Sequence, residues 1–479
     1  MARPGRSRTP LIITLSVVLV LALLGVGAYF LWPRGSGLTA TPKTSGALGT
    51  TTAAPVVDPP VVVPAGRVQP LAPTAGKAPV AAKVTARLAG PLANPALADY
   101  TGVVLDPVSG ATLWKKNPGN PVLPASTIKL LTGAALLTSM DPNTRLVTRV
   151  VAGEQPGDIV FVGGGDPTLS AAAAGVTSVY TGAPTVADLA VQVKATGVPV
   201  RRILLDTSLW SGDELAPGWQ QGDITGTPAS AQGFITRMQA LMVDGDRADP
   251  GKDTSVRTGQ PALNAGRALA RALGAPNLPI VPKSTAPPKA KVLAQVQSQP
   301  VSILLGQALL SSDNVLAEAL GRAVAIRRGT SATFDGMVAA VTQSLEDLKL
   351  DVTGLVMVDA SGMSDQDRVT TGLLAQTMAL AVGGKVPALA PLLAGLPVAG
   401  VSGTLIEHNR FTDAASKAGA GWVRAKTGSI DVTYALAGYV PDVDGRLLVF
   451  ALNSNGVTGD PGRYAQDAFA TALRSCGCS

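Results

Sequence analysis

The chain has 479 residues, 46% of them hydrophobic, enough for two or three domains around a sizeable core, so it reads as a globular protein with attachments. Its formal charge of +7 favours anionic surroundings such as lipid headgroups or an acidic polymer. Only 15% of residues are charged and 4% aromatic, and no Lys/Arg cluster is interleaved with stacking rings, which argues against nucleic acid as a partner. The only cysteines, Cys476 and Cys478, stand at the extreme C-terminus. They exclude a disulfide framework or a four-ligand zinc site in the core, and the tail reads as an unstructured terminus.

From Leu11 to Trp32 the chain is uncharged and mostly apolar. At about 1.5 Å per residue a helix there covers the ~30 Å hydrocarbon layer, and the run exceeds the roughly 7 to 15 apolar residues of a cleaved signal. Arg3, Arg6 and Arg8 precede it and only Arg34 follows closely. The expectation is a cytoplasmic stub over residues 1–10, a single transmembrane helix over 11–32, and everything beyond Pro33 outside the cell membrane. Residues 33–85, rich in Pro, Thr, Ala and Val, read as a linker that holds the rest of the chain away from the bilayer, at up to ~3.1 Å per residue.

Three short motifs follow. Pro121 to Pro124 leads into Ser126-Thr127-Ile128-Lys129 and an apolar helical run. A spacing of three places Ser126 and Lys129 on one helical face, and the flanking Ile128, Leu130 and Leu131 predict a desolvated amine able to accept the serine proton. Ser312-Asp313-Asn314 breaks two apolar segments, Leu304 to Leu310 and Val315 to Leu320. By itself this tripeptide reads equally as a helix N-cap or as a catalytic turn. Lys426-Thr427-Gly428 lies in a strand run that continues through a hairpin, Tyr434 to Val440 and Leu447 to Ala451. Alternation there sends Lys426 and Gly428 to one face, and the glycine allows another backbone to come close.

In that order and in helix, loop and strand contexts, the motifs resemble the signature of penicillin-binding proteins and class A β-lactamases. From about Ala86 to Arg474 the sequence is similar to the low-molecular-mass D-alanyl-D-alanine carboxypeptidases/endopeptidases that carry a large insertion between the first two motifs. The likeness extends to Gly163-Gly164-Gly165-Asp166-Pro167-Thr168-Leu169, Ala216-Pro217-Gly218-Trp219 and Asp359-Ala360-Ser361-Gly362-Met363-Ser364. Ala360 and Met363 depart conservatively from the family's usual Gly and Leu.

The resemblance implies an α/β (α+β) fold: a penicillin-binding/β-lactamase-like serine transpeptidase domain, an antiparallel sheet flanked by helices. That domain would span residues 86–146 and 301–475, interrupted by an inserted α/β domain over 147–300, with strands at Asp158 to Val162 and Ile203 to Leu205 and a helix at Val186 to Ala195. It implies Ser126 as nucleophile, Lys129 as its base, Ser312 as proton relay to the leaving amine, and Asn314 as ligand to Lys129 and to the substrate amide. Lys426 and Thr427, with Gly428 and Ser429 beside them on the strand, would bind substrate, and the backbone N–H groups of Ser126 and Ser429 would form an oxyanion hole. No cofactor or metal is implied. The partners implied are peptidoglycan stem peptides as substrates and β-lactams as inhibitors. A β-lactamase and a membrane-bound β-lactam sensor are the alternatives. The long interval between Ser126 and Ser312 resembles the peptidase branch, and the short N-terminal stub is far below the size of an effector domain.

Some residues carry no such role. The sole histidine, His408, sits in a polar segment and reads as a surface side chain. The acidic stretches Asp244 to Asp249 and Asp365 to Asp367 lack calcium-loop spacing and read as solvated turns. For Asp359 and Ser361 the sequence supports no chemical role.

Overall fold

The computed structural model describes residues 76–479, except 174, 175, 177 and 458. The predicted span Leu11 to Trp32 lies outside the described residues, and no single helix among the described residues is long and apolar enough to cross a membrane.

Helix α1 (Ala81–Leu92) opens the described chain and is followed by β1 (Asp99–Leu105), β2 (Thr112–Lys116), the short β3 (Pro121–Val122), and a 3₁₀ turn at Ala125–Ile128 that feeds α2 (Lys129–Ser139). Every residue of α2 from Lys129 to Leu137 is buried, as expected of a helix apolar on all sides. Next come β4 (Val147–Ala152), β5 (Asp158–Val162), α3 (Val186–Ala195), β6 (Arg202–Asp206), the short α4 (Gln221–Thr225), α5 (Pro261–Ala272), β7 (Ile280–Ser284) and β8 (Val292–Gln297). Helices α6 (Val301–Leu310), α7 (Asn314–Arg328) and α8 (Phe334–Asp347) return toward α2, and β9 (Val369–Thr370), α9 (Thr371–Val382) and α10 (Ala390–Ala394) follow. The chain ends on β10 (Arg424–Ile430), β11 (Thr433–Pro441), β12 (Leu447–Asn455) and α11 (Asp460–Arg474).

The first sheet has the order β10-β11-β12-β1-β2 and every pairing is antiparallel. Its central strand β12 is buried on both faces and sorts its side chains with period two. Leu447, Val449 and Ala451 join the core formed with α2 and α6 to α10, whereas Leu448, Phe450 and Leu452 join the core beneath α1 and α11. The result is three layers, helix on sheet on helix.

Between α2 and α6 a second sheet forms in the order β7-β6-β5-β4-β8. Its β5–β6 and β6–β7 pairs are parallel, and its β4–β5 and β4–β8 pairs antiparallel. The parallel β5–β6 pair requires a crossover, which α3 supplies, and α3 and α5 bury Leu189, Val193, Ala265 and Leu269 against the strands. The strands and helix expected in this segment stand where the periodicity placed them.

Three expectations are corrected. Residues 81–85, read as the end of the linker, begin helix α1, with Val84 fully buried. The acidic stretches are solvated only in part: Asp365 is exposed and Asp249 half-exposed, whereas Asp244, Asp246 and Asp367 are buried. Asp244 accepts from the Ala171 N–H and the Ser178 hydroxyl, and Asp246 from Thr236 and the Gly259 N–H, so donors replace water at both, while one Asp367 oxygen accepts from the Val358 N–H. The C-terminal tail is neither exposed nor unstructured. Cys476 and Cys478 are disulfide-bonded to each other and buried beside α1, and the Cys478 carbonyl accepts from the Val80 N–H at 2.7 Å. His408 is a half-exposed surface side chain, its Nδ1 3.3 Å from an Asp460 oxygen.

The turn that carries Ser126 is wedged between two glycines. Gly428 of β10 has no room for a Cβ, which would stand 2.7 Å from the Pro124 carbonyl oxygen, and a Cβ on Gly362 would collide with the Ala125 carbonyl. Gly362 also has φ +78°, a conformation costly for any L side chain. Gly362→Ala should therefore lower stability by more than about 1 kcal/mol, the cost exceeded when alanine is forced into positive φ. Urea unfolding measures it, and an unchanged midpoint would show that the turn has room to relax.

Candidate active site

Ser126 enters the site from a strained turn. Ala125, immediately before it, has φ +46°, and Ser312 in the second motif has φ +61°. Both are non-glycine residues in the left-handed region, a strain that surrounding structure has to hold in place. Ser126 and Lys129 emerge one turn apart, and the Lys129 amine donates to Ser126 Oγ at 2.8 Å.

The same amine donates to Asn314 Oδ1 at 2.6 Å and to the Ser361 carbonyl at 2.7 Å. Three acceptors match the three donors of an ammonium. Burial of the whole side chain nevertheless disfavours the charge and brings its pKa down to about 8, with Asp359, Asp313, Glu318 and Asp367 pulling the other way. The serine hydroxyl is thus in direct contact with an amine whose neutral form is accessible near physiological pH, the arrangement an activated serine needs.

The Ser312–Asn314 turn caps a helix and also faces the site. Asp313 is the N-cap of α7, accepting from the Leu316 N–H at 2.8 Å, while its neighbours face the lysines. Asn314 contacts Lys129, and Ser312 Oγ accepts from Lys426 Nζ at 2.9 Å.

Lys426 is fully buried on β10, and its amine also donates to the Thr427 carbonyl at 2.8 Å. Burial and then the nearby Lys129 push its pKa well below the ordinary lysine range. The Thr427 hydroxyl pairs with Thr404 at 2.8 Å. Strand β10 is the edge of its sheet, and only its beginning is covered, where the Ala425 N–H donates to Pro397. Alternation points the N–H groups of Thr427 and Ser429 from that same edge. The eight residues expected at the site are therefore distributed over three walls: the Ser126 turn with α2, the start of α7, and the open edge of β10.

The sequence missed the fourth contributor, the loop around Asp359. Its carboxylate accepts from the N–H groups of Ser361, Gly362 and Ser364 at 3.0, 2.7 and 2.7 Å, folding the loop so that the Ser361 carbonyl meets Lys129. The available signal was the string from Asp359 to Ser364, in which an Asp followed by Ser and Gly predicts a side chain bonded to its own backbone. Burial pushes the neighbouring carboxyls up, Glu318 to about 8 and Asp367 to about 10, with the Asp359 charge adding to both. Both carboxyls are thereby biased toward the protonated form, Glu318 despite the buried Arg322 guanidinium 3.8 Å away.

Comparison with known proteins follows the same lines. A family model described as D-Ala-D-Ala carboxypeptidase 3 (S13) matches residues 84–251 and 246–476. The chain is 45% identical over 423 residues to carboxypeptidase Rv3627c of Mycobacterium tuberculosis, covering 88% of this chain and 89% of that one. It is 42% identical over 481 residues to carboxypeptidase DacB of Mycolicibacterium smegmatis, covering 99% of each. Among solved structures, penicillin binding protein 4 of Haemophilus influenzae shares the fold, with a TM-score of 0.64 at 19% identity over 82% of this chain and 98% of that one. That protein has also been solved in complex with a β-lactam. With the motifs, the mixed α/β penicillin-binding fold and the matched length in agreement, the chain belongs to the D-Ala-D-Ala carboxypeptidase S13 family of serine peptidases.

Proposed function

We propose that this protein hydrolyses peptidoglycan stem peptides ending in D-Ala-D-Ala through an acyl-enzyme on Ser126. The observation that carries the reading is the buried Lys129 amine, 2.8 Å from Ser126 Oγ with its pKa brought to about 8. Neutral Lys129 takes the hydroxyl proton as Ser126 Oγ attacks the scissile carbonyl. The N–H groups of Ser126 and Ser429 receive the developing oxyanion. Ser312, bonded to Lys426, relays the proton that Lys129 took to the leaving amine, the C–N bond breaks, and an ester on Ser126 remains with Lys129 neutral again. Water then hydrolyses the ester, returning the hydroxyl and releasing the shortened peptide. Asn314 bridges Lys129 and the substrate amide.

Lys426 and Thr427 bind the terminal carboxylate. Without substrate, burial and Lys129 favour the neutral amine of Lys426, and an arriving carboxylate restores its proton by supplying the opposite charge. The uncharged run Leu11 to Trp32 behind Arg3, Arg6 and Arg8 supports a single-pass anchor with the enzyme on the outer side of the membrane.

The decisive test is covalent. Penicillin should label Ser126 alone, as peptide mapping of the intact adduct reads out, and Ser126→Ala should lose both the adduct and peptide hydrolysis. A peptide amidated at its terminus should be a poorer substrate than the free acid, a preference that Lys426→Ala removes. Rapid turnover of penicillin would instead support a β-lactamase.

Acylation should also follow the titration of Lys129. Its folded pKa is depressed and its neutral form is the base, so the rate rises with pH through about 8. For one titrating group the rate at pH 6 is about 50-fold below that at pH 8. Stopped-flow acylation across this range checks it, and a flat profile would remove Lys129 as the base. Full-length protein should sediment with membranes, whereas a chain starting after residue 34 should be soluble and cleave the same small peptides; sedimentation of both forms would contradict the anchor.

A further inference from the structure

Lys129 shares its amine among three acceptors, and two of them lie on turns held by the inserted segment. Beside Asn314, the Asp313 carboxylate receives an N–H from Arg247 at 2.6 Å and the hydroxyl of Tyr180 at 2.9 Å, and Arg247 itself donates to the Tyr180 oxygen at 2.8 Å. This ion pair is buried, with 2% of each side chain exposed. Burial alone would raise the Asp313 carboxyl, but the charges of Arg247 and Arg257 outweigh it and hold the pKa at about 2. The Asn314 amide nitrogen donates in turn to the Phe234 carbonyl at 3.1 Å, which leaves its oxygen directed at Lys129.

The second turn is held in the same manner. Two residues before Ser361, Asp359 takes the indole N–H of Trp219 at 2.9 Å beside its three backbone donors, and the Ser364 hydroxyl donates to the Pro217 carbonyl at 2.7 Å. Trp219 is itself packed edge-on against Phe334 of α8, ring centroids 5.4 Å apart. Tyr180, Arg247, Trp219, Pro217 and Phe234 all lie between β5 and β7, outside the three motifs.

We propose that Arg247 and Trp219 are positioning residues for the catalytic lysine, each fixing, through a buried aspartate, one of the two acceptors that share the amine with Ser126. The inserted segment is then a working part of the acylation machinery in addition to any contact with large substrates. The physical reason is directional. An amine with three close acceptors has its lone pair and protons aimed by the positions of those acceptors, and a displacement of about 1 Å in such a constellation costs on the order of a hundredfold in rate.

The proposal rests on the acylation reading above, and the test separates the two. Penicillin binding and acylation are resolved kinetically in the wild type, Trp219→Phe, Tyr180→Phe, Arg247→Lys and Arg247→Met. Tyr180→Phe removes one donor and keeps the ring, and Trp219→Phe removes the indole donor and leaves a smaller aromatic ring, so both disturb the packing less than Arg247→Met. They should slow acylation by about tenfold or more while the non-covalent dissociation constant stays within about twofold and the urea midpoint is nearly unchanged. Arg247→Lys, which keeps the charge opposite Asp313, should retain more of the acylation rate than Arg247→Met. Acylation within about twofold of wild type in both aromatic variants would overturn the proposal, as would binding and acylation falling together with the urea midpoint. A wild type that forms no adduct on Ser126 would overturn the acylation reading itself, a result distinct from either.

Discussion

An amine in a dry site is either a liability or a base, and the difference lies in what surrounds it. Lys129 is fully enclosed at the N-terminus of the most buried helix, where desolvation takes away much of its tendency to hold a proton. Its three acceptors and four nearby carboxyl groups return part of that tendency, and the balance falls at about 8. A site with fewer acids would shift the amine further toward its neutral form.

The second lysine obeys the same electrostatics from the other side of the cleft. Lys426 is also fully buried, and the charge of Lys129 is among the causes of its lowered pKa. Each amine is tied to a different residue of the Ser312–Asn314 turn, so that turn sets how the two amines share the space. The strained φ at Ser312 fits this division, because one tight turn has to present neighbouring side chains to two separate lysines. The strain at Ala125 is held by the close approach of Gly428 on one side and Gly362 on the other.

Buried ion pairs contribute little net stability once desolvation is counted, yet breaking one is expensive. That asymmetry suits the Arg247–Asp313 pair. It links two segments far apart in sequence and resists small displacements of the second motif, whatever its net effect on folding. Asp359 works through hydrogen bonds instead, gathering three backbone N–H groups and an indole around one carboxylate. Both devices turn an aspartate with no chemical step of its own into a determinant of geometry.

The order of the three motifs and the local character of each were legible in the chain, because they rest on short-range rules. A spacing of three puts Ser126 and Lys129 on one helical face, apolar flanks announce a buried helix, and alternation in Arg424 to Ile430 places Lys426 and Gly428 on one side of a strand. The βαβ signals of the inserted segment were visible for the same reason. What the tertiary structure alone decided were the contacts between residues remote in sequence. Asp244, Asp246 and Asp367 look like solvated turn residues until the elements that supply their donors are assembled, and the two C-terminal cysteines look like a free tail until α1 covers them. The Ser361 carbonyl reaches Lys129 across 232 positions, and Trp219 reaches Asp359 across 140. No periodicity or local pattern encodes such a meeting. A buried polar group's partner is chosen by the packing of whole elements, and its need for a partner shows only once folding has removed the water.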